Sequence, residues 1–356
     1  MNLDNRFVRS ATWEAMANED GSCSQRLTDV MVRLARGGVG LIISGHTYVV
    51  KEGQAGPRQL GVYSDDLVPG LKDMVDAVHH ENGKIVLQLA HAGCVSASQL
   101  TGKEPLGPSV ENQGKNICRQ MTQAEIESVV DAFGKAASRA KQAGFDGVQI
   151  HAAHGYLLSQ FLSPHFNKRS DEYGGPIEHR AKIILDVLKN MRASVGDRFP
   201  VLIKINSEDF LEGGLKQDEM LIVAAMLEKS GIDSIELSGG TFLSGQNTPI
   251  RKGKIGDIKK EVYYLEAAKR FKENIQAPLM LVGGIRSYET ALELVEDGIT
   301  DYVSLCRSLI RELDLVNRWK KGDIRKSQCL SDNLCFRPIS KGEGISCVTE
   351  KGTAIE

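Results

Sequence analysis

Eight short apolar, β-rich runs recur along the chain, at residues 7–12, 40–49, 84–90, 147–151, 201–206, 234–237, 279–282 and 302–305. Between them lie stretches with helical apolar spacing, at 26–36, 67–81, 178–194, 219–229, 264–273, 288–296 and 313–320. One further helix opens with the capping box Thr122-Gln-Ala-Glu125 and runs to Ala143, where Gly144 stops it. A continuous apolar run suits a strand covered on both faces, and strict strand–helix alternation gives a parallel sheet. Eight such units can close on themselves, so the expected fold is α/β, a (β/α)8 TIM barrel, with an open doubly wound sheet as the competitor. The chain has 356 residues. That allows one barrel of about 250 residues with insertions. The expected organisation is a single barrel domain over 1–321 and a cysteine-containing C-terminal extension over 322–356 with no clear core element.

Two insertions, 51–65 and 94–121, follow the second and third strands, at the barrel end that carries active-site loops. Hydrophobic residues make up 41% and charged residues 25%, and the net charge is −2. Such a balance gives no field favouring nucleic acid or an anionic membrane. No apolar run approaches the ~20 residues of a membrane span. Met1–Arg6 lacks the apolar core of a signal peptide. Seven scattered cysteines argue against a secreted disulfide framework and for a reducing, cytoplasmic setting.

Several polar residues interrupt the strand ends. His151-Ala-Ala-His154-Gly-Tyr156 ends the fourth strand. The two histidines can donate hydrogen bonds to one oxygen, be structural, or ligate a metal with His165 as the third ligand; Tyr156 adds a candidate proton donor. Gln88 breaks the third strand, and its amide suits a uracil-like edge or a neighbouring backbone. Lys204, on the inner face of the fifth strand with Leu202 and Asn206, needs negative charge. A reduced flavin, a Schiff-base role, or a salt bridge to Glu208 or Asp209 would each account for it. Gly283-Gly284 and Cys306-Arg307 end the last two strands, where barrels build phosphate sites. In the extension, Cys329, Cys335 and Cys347 hint at a metal or iron–sulfur clip, but Asp332 stands where a further cysteine would be needed. An iron–sulfur cluster is not expected.

The chain resembles the old yellow enzyme family of FMN-dependent NAD(P)H oxidoreductases from residue 5 to about 311. The resemblance is carried by His151-Ala-Ala-His-Gly-Tyr-Leu-Leu-Ser-Gln-Phe-Leu-Ser-Pro-His-Phe-Asn167, by Arg169-Ser-Asp-Glu-Tyr-Gly-Gly175, by Glu178-His-Arg180 and by Gln88-Leu-Ala-His-Ala-Gly93. It implies FMN lined by the backbone of Ser10, Ala11 and Thr12, with the backbone near His46 and the Gln88 amide on the ring edge. Lys204 takes the place of a basic residue, usually arginine, near N1 and O2, and Gly283, Gly284, Cys306 and Arg307 hold the phosphate. It implies that His151 and His154 bind a substrate carbonyl and that Tyr156 donates a proton. Trp13 stands where the family often has Cys or Thr and is placed against the substrate; Ala15 replaces an aromatic contact. The extension looks like a remnant of the iron–sulfur segment of the 2,4-dienoyl-CoA reductase branch.

The implied function is an ene-reductase: NADH or NADPH reduces FMN, and hydride then passes from N5 to an α,β-unsaturated carbonyl compound. A homo-oligomer is compatible with this. The alternatives are an oxidative flavin dehydrogenase of the same superfamily, a lysine-dependent barrel aldolase, and a non-catalytic flavin-binding protein.

Overall fold

Inward-facing Val8, Leu41, Ile43, Val86, Leu202 and Met280 form one buried apolar plug. They come from strands that pair in parallel all the way round. In the computed structural model, which describes residues 1–113, 116–253 and 261–351, the eight strands are β1 (Phe7–Arg9), β2 (Leu41–Ile43), β3 (Ile85–Ala90), β4 (Gly147–Ala152), β5 (Val201–Asn206), β6 (Ser234–Ser238), β7 (Leu279–Val282) and β8 (Tyr302–Leu305). Each pairs with its neighbours, and β8 returns to β1, so the sheet closes as a (β/α)8 barrel. Sequential strands need a crossover to lie parallel. The crossovers are α1 (Gln25–Arg36), α2 (Val68–His80), α3 (Gln123–Gln142), α4 (Lys182–Val195), α5 (Gln217–Lys229), α6 (Leu265–Asn274) and α7 (Tyr288–Glu296), and α8 (Leu315–Lys320) follows the last strand.

The larger core lies between strands and helices. On α3, Ile126, Val129, Phe133, Ala136 and Ala140 turn inward at helical spacing. Thr122 and Glu125 cap that helix reciprocally, as the sequence requires. Losing such a cap costs about 0.5–2 kcal/mol.

Differences from the sequence reading have local causes. The first strand stops at Arg9 rather than 12, and the second at Ile43, with a separate short strand at Thr47–Tyr48. Ser10 to Trp13 and Ser44 to His46 follow these strand ends without regular secondary structure. The segment at 178–194 is two helices, Ile177–Arg180 and α4, with a break at Ala181. Buried Arg180 sits at that break, bonded to the Leu162 carbonyl and Glu219. The insertion after β3 carries a disulfide between Cys94 and Cys118, a pairing that the odd number of scattered cysteines did not announce. The extension is not coreless: Leu334–Lys341 forms a 3-10 helix, and Cys335 and Ile345 join the main core.

Candidate functional site

Side chains on one strand face repeat every second residue. Stepping two residues beyond the apolar plug therefore names the next inner layer: Ser10 after Val8, Gln88 after Val86, Lys204 after Leu202, Val282 after Met280. All four line one cavity of about 430 Å³ at the C-terminal mouth of the barrel. That cavity is also lined by Ala11, Thr12, Trp13, His46, His151, His154, Tyr156, Gly283 and Cys306. Of the candidate residues, Gly284 and Arg307 lie in an adjoining cavity of about 60 Å³, which Gly283, Cys306, Arg286 and Ser304 share.

The floor is a chain of buried polar groups. Gln88 Nε2 donates to Gln149 Oε1 at 2.7 Å, and Gln149 Nε2 donates to Glu236 Oε2 at 3.0 Å. Lys204 Nζ lies 3.2 Å from the same carboxylate and donates to Ser10 Oγ at 2.8 Å. Glu236 stands beside Lys204 in the β5–β6 register. The salt-bridge partners read from sequence are thus corrected. Asp209 accepts from Asn206 Nδ2 at 2.8 Å and from the Leu215 amide at 2.9 Å, and Glu208 accepts from Gln217 at 3.3 Å. Lys204 is ion-paired rather than presented as a free amine for Schiff-base chemistry.

One wall comes from the end of β4. His151 is buried, and its Nδ1 has no hydrogen-bond partner among the described residues. His154 takes a left-handed backbone conformation (φ 66°), which costs a non-glycine residue about 1–3 kcal/mol. Its amide donates to Asn206 Oδ1 at 3.1 Å, and its Nε2 meets Ser238 Oγ at 2.7 Å. Burial holds both imidazoles well below the ordinary histidine pKa; for His151 the neighbouring His154, His46 and Lys204 add to it, and for His154 Lys204 and His46 do. Neutral imidazoles can donate a hydrogen bond without bringing a charge. Tyr156 is buried, which raises its phenol pKa, and its hydroxyl lies 3.0 Å from His46 Nε2. His165 is not gathered with these histidines; its Nδ1 bonds the Glu212 carbonyl at 3.1 Å. Among the described residues, no group of three His, Cys, Asp or Glu side chains is placed to hold a metal ion.

The second cavity sits at the ends of β7 and β8. Gly283 and Gly284 have φ of 127° and 82°, and an added Cβ at either would strike the rings of Tyr264 and Tyr263. Arg307 donates to the Arg251 carbonyl and to Asn333 Oδ1, both at 2.8 Å, and to the Tyr263 hydroxyl at 3.2 Å. No carboxylate is among these partners.

Sequence reasoning missed several lining residues: Ser238, Phe242, Ile250 and Tyr264 on or after β6, and Phe336 from the extension. None stands in a motif. Ser238 was legible in principle, two residues beyond Glu236 on the inner face.

Residues 1–326 match the NADH:flavin oxidoreductase / NADH oxidase family. The chain belongs to this family. It is 35% identical over 340 residues to NADH oxidase of Thermoanaerobacter brockii, covering 93% of this chain but 51% of that protein. The chain thus spans about half the length of that relative. It is 33% identical over 312 residues to NADPH dehydrogenase of Listeria innocua, covering 87% of this chain and 88% of the relative. The old yellow enzyme homologue from Zymomonas mobilis superposes with a TM-score of 0.78 at 27% identity, covering 92% of this chain and 91% of that one. The family binds FMN, and the cavity suits that group. Trp13, His46 and His151 on its walls, and Ser304 in the adjoining cavity, each carry a buried polar atom (Nε1, Nδ1, Nδ1 and Oγ) without a partner among the described residues, and the glycine pair leaves room where a side chain would intrude.

Proposed function

We propose that the chain is an FMN-dependent NAD(P)H oxidoreductase that reduces the C=C bond of α,β-unsaturated carbonyl compounds. Bound FMN would accept hydride from NADH or NADPH and pass it to the substrate. The Gln88 amide and the backbone near His46 would hold the ring edge, the backbone of Ser10, Ala11 and Thr12 would line the ring, and the Lys204 cation would lie near N1 and O2. Gly283, Gly284, Cys306 and Arg307 would hold the phosphate, through backbone N–H groups and one guanidinium.

The protein supplies position and electrostatics. His151 and His154 bind the carbonyl oxygen and stabilise the negative charge that develops there. Being neutral, they do so without a prior proton transfer. Tyr156 gives its proton to the α-carbon. Trp13, Phe242 and Phe336 wall the substrate against water.

The observation that carries this reading is the convergence, in one cavity, of two histidines and a tyrosine from the end of β4 and the turn after it with an amide and a lysine from β3 and β5. The test has two stages. Purified protein incubated with FMN is expected to turn yellow and to bleach anaerobically with NADH or NADPH. Reduced protein mixed with 2-cyclohexen-1-one is then expected to yield cyclohexanone. Tyr156→Phe is expected to slow the second stage roughly 10²–10⁴-fold and to leave bleaching unchanged. Colourless protein after incubation with excess FMN rejects the flavin reading, and unimpaired cyclohexenone turnover by Tyr156→Phe rejects the acid assignment.

A further inference from the structure

The His46 side chain has no task in the scheme above, which uses only the backbone beside it. We propose that His46 is a positioning residue for Tyr156: it donates its Nε2–H to the phenol oxygen, turns the phenol proton into the cavity and stabilises the phenoxide left behind. This rests on the reading of Tyr156 as the acid.

The two rings meet edge to face, with centroids 5.3 Å apart and planes at 88°. Nε2 lies 3.0 Å from the hydroxyl oxygen. His151 packs on the same phenol, with centroids 4.9 Å apart. Among the described residues, His46 is the side chain hydrogen-bonded to this hydroxyl. Its backbone is pinned: Gln59, 1% exposed, donates to the His46 carbonyl at 3.0 Å and accepts from the Ala55 amide at 2.7 Å. The ring therefore reaches Tyr156 from a fixed base.

Burial pushes the His46 pKa down to about 4, so near neutral pH the ring carries one N–H and one lone pair. With the proton on Nδ1, a buried donor would have no acceptor among the described residues; orphaned buried N–H groups are the rarer kind. With the proton on Nε2, that donor is satisfied by the phenol oxygen. The phenol O–H is then free to face the substrate. In the step itself, the Tyr156 O–H bond breaks and its proton goes to the α-carbon, while the β-carbon receives the hydride that originates from NAD(P)H. The phenoxide keeps the O–H electron pair next to the imidazole N–H, and a solvent proton later restores the phenol. A hydrogen bond to an ionised oxygen is stronger than one to a neutral oxygen, so the contact favours the transition state over the resting state.

The test uses FMN-loaded protein at matched flavin occupancy, reduced anaerobically with NADPH and mixed with 2-cyclohexen-1-one in a stopped-flow instrument. His46→Leu is expected to slow reoxidation roughly ten- to a hundred-fold and to raise the solvent isotope effect. His46→Gln, which keeps an N–H donor, is expected to recover most of the rate. In a Tyr156→Phe background, His46→Leu is expected to add almost nothing. If His46→Leu does not fold, His46→Asn, too short to reach the phenol, takes its place. The proposal is overturned if His46→Leu reoxidises like the parent, if Gln is as slow as Leu, if the loss persists without Tyr156, or if reduction by NADPH slows in the same proportion. A slow Tyr156→Phe beside a fast His46→Leu removes this inference alone; a fast Tyr156→Phe removes the acid reading as well.

Discussion

Lys204 Nζ and Glu236 Oε2 lie 3.2 Å apart inside the barrel, with the lysine 3% and the glutamate 0% exposed. Removing one member of such a pair strands the other charge away from water, at about 3–5 kcal/mol. Glu236→Gln is therefore expected to lose that much in chemical denaturation of the flavin-free protein. The double variant Lys204→Met with Glu236→Gln is expected to lose less than the sum of the singles. Strict additivity would show that the two side chains do not interact.

The histidine pair can be tested without turnover. A para-substituted phenol binding above FMN would place its oxygen where a carbonyl oxygen goes, and its binding can be followed by the change in the visible spectrum. His151→Ala combined with His154→Ala is expected to weaken that binding roughly ten- to a hundred-fold, two hydrogen bonds at about 1 kcal/mol each. Unchanged titration curves would remove the oxygen-binding role.

Burial raises the Glu14 carboxyl from 4.5 to about 7, against the pull of Arg9. The folded protein thus holds a proton there that the unfolded chain has released. Stability from this group is fully present below pH 4.5 and is lost as the pH rises to about 7, a change of about 3 kcal/mol. Glu14→Gln is expected to remove this slope, so its stability relative to the parent should increase from pH 4.5 to 7.5. A constant difference across that window would refute the assignment.

Gly284 has φ of 82° and leaves no room for a Cβ beside Tyr263 and the Glu261 carbonyl. Gly284→Ala is expected to cost about 1–2 kcal/mol in left-handed strain. It should also weaken FMN retention, seen as faster flavin loss on dilution. Normal retention would place the phosphate elsewhere.

Much of this was legible because the barrel repeats one rule. β5, β7 and β8 fall at the bounds expected from their apolar runs, and two-residue alternation carries Gln88 and Lys204 from the plug to the cavity floor. Glu236 went unread although it gives the same signal as Lys204, a charge inside an apolar run: Ser-Ile-Glu-Leu-Ser. Two opposite charges breaking adjacent strands at one level are a pair waiting to be joined. The disulfide of Cys94 with Cys118 and the placement of Phe336 were not legible, because loops and the extension carry no periodicity and their partners are set by tertiary contact.

Phe336 reaches the cavity from beyond the last strand, and Lys326 on the way there is ion-paired to buried Glu261. A chain cut after residue 325 would keep all eight strands yet lose that side of the vestibule. Closing the barrel and walling its mouth are thus coded by separate stretches of sequence.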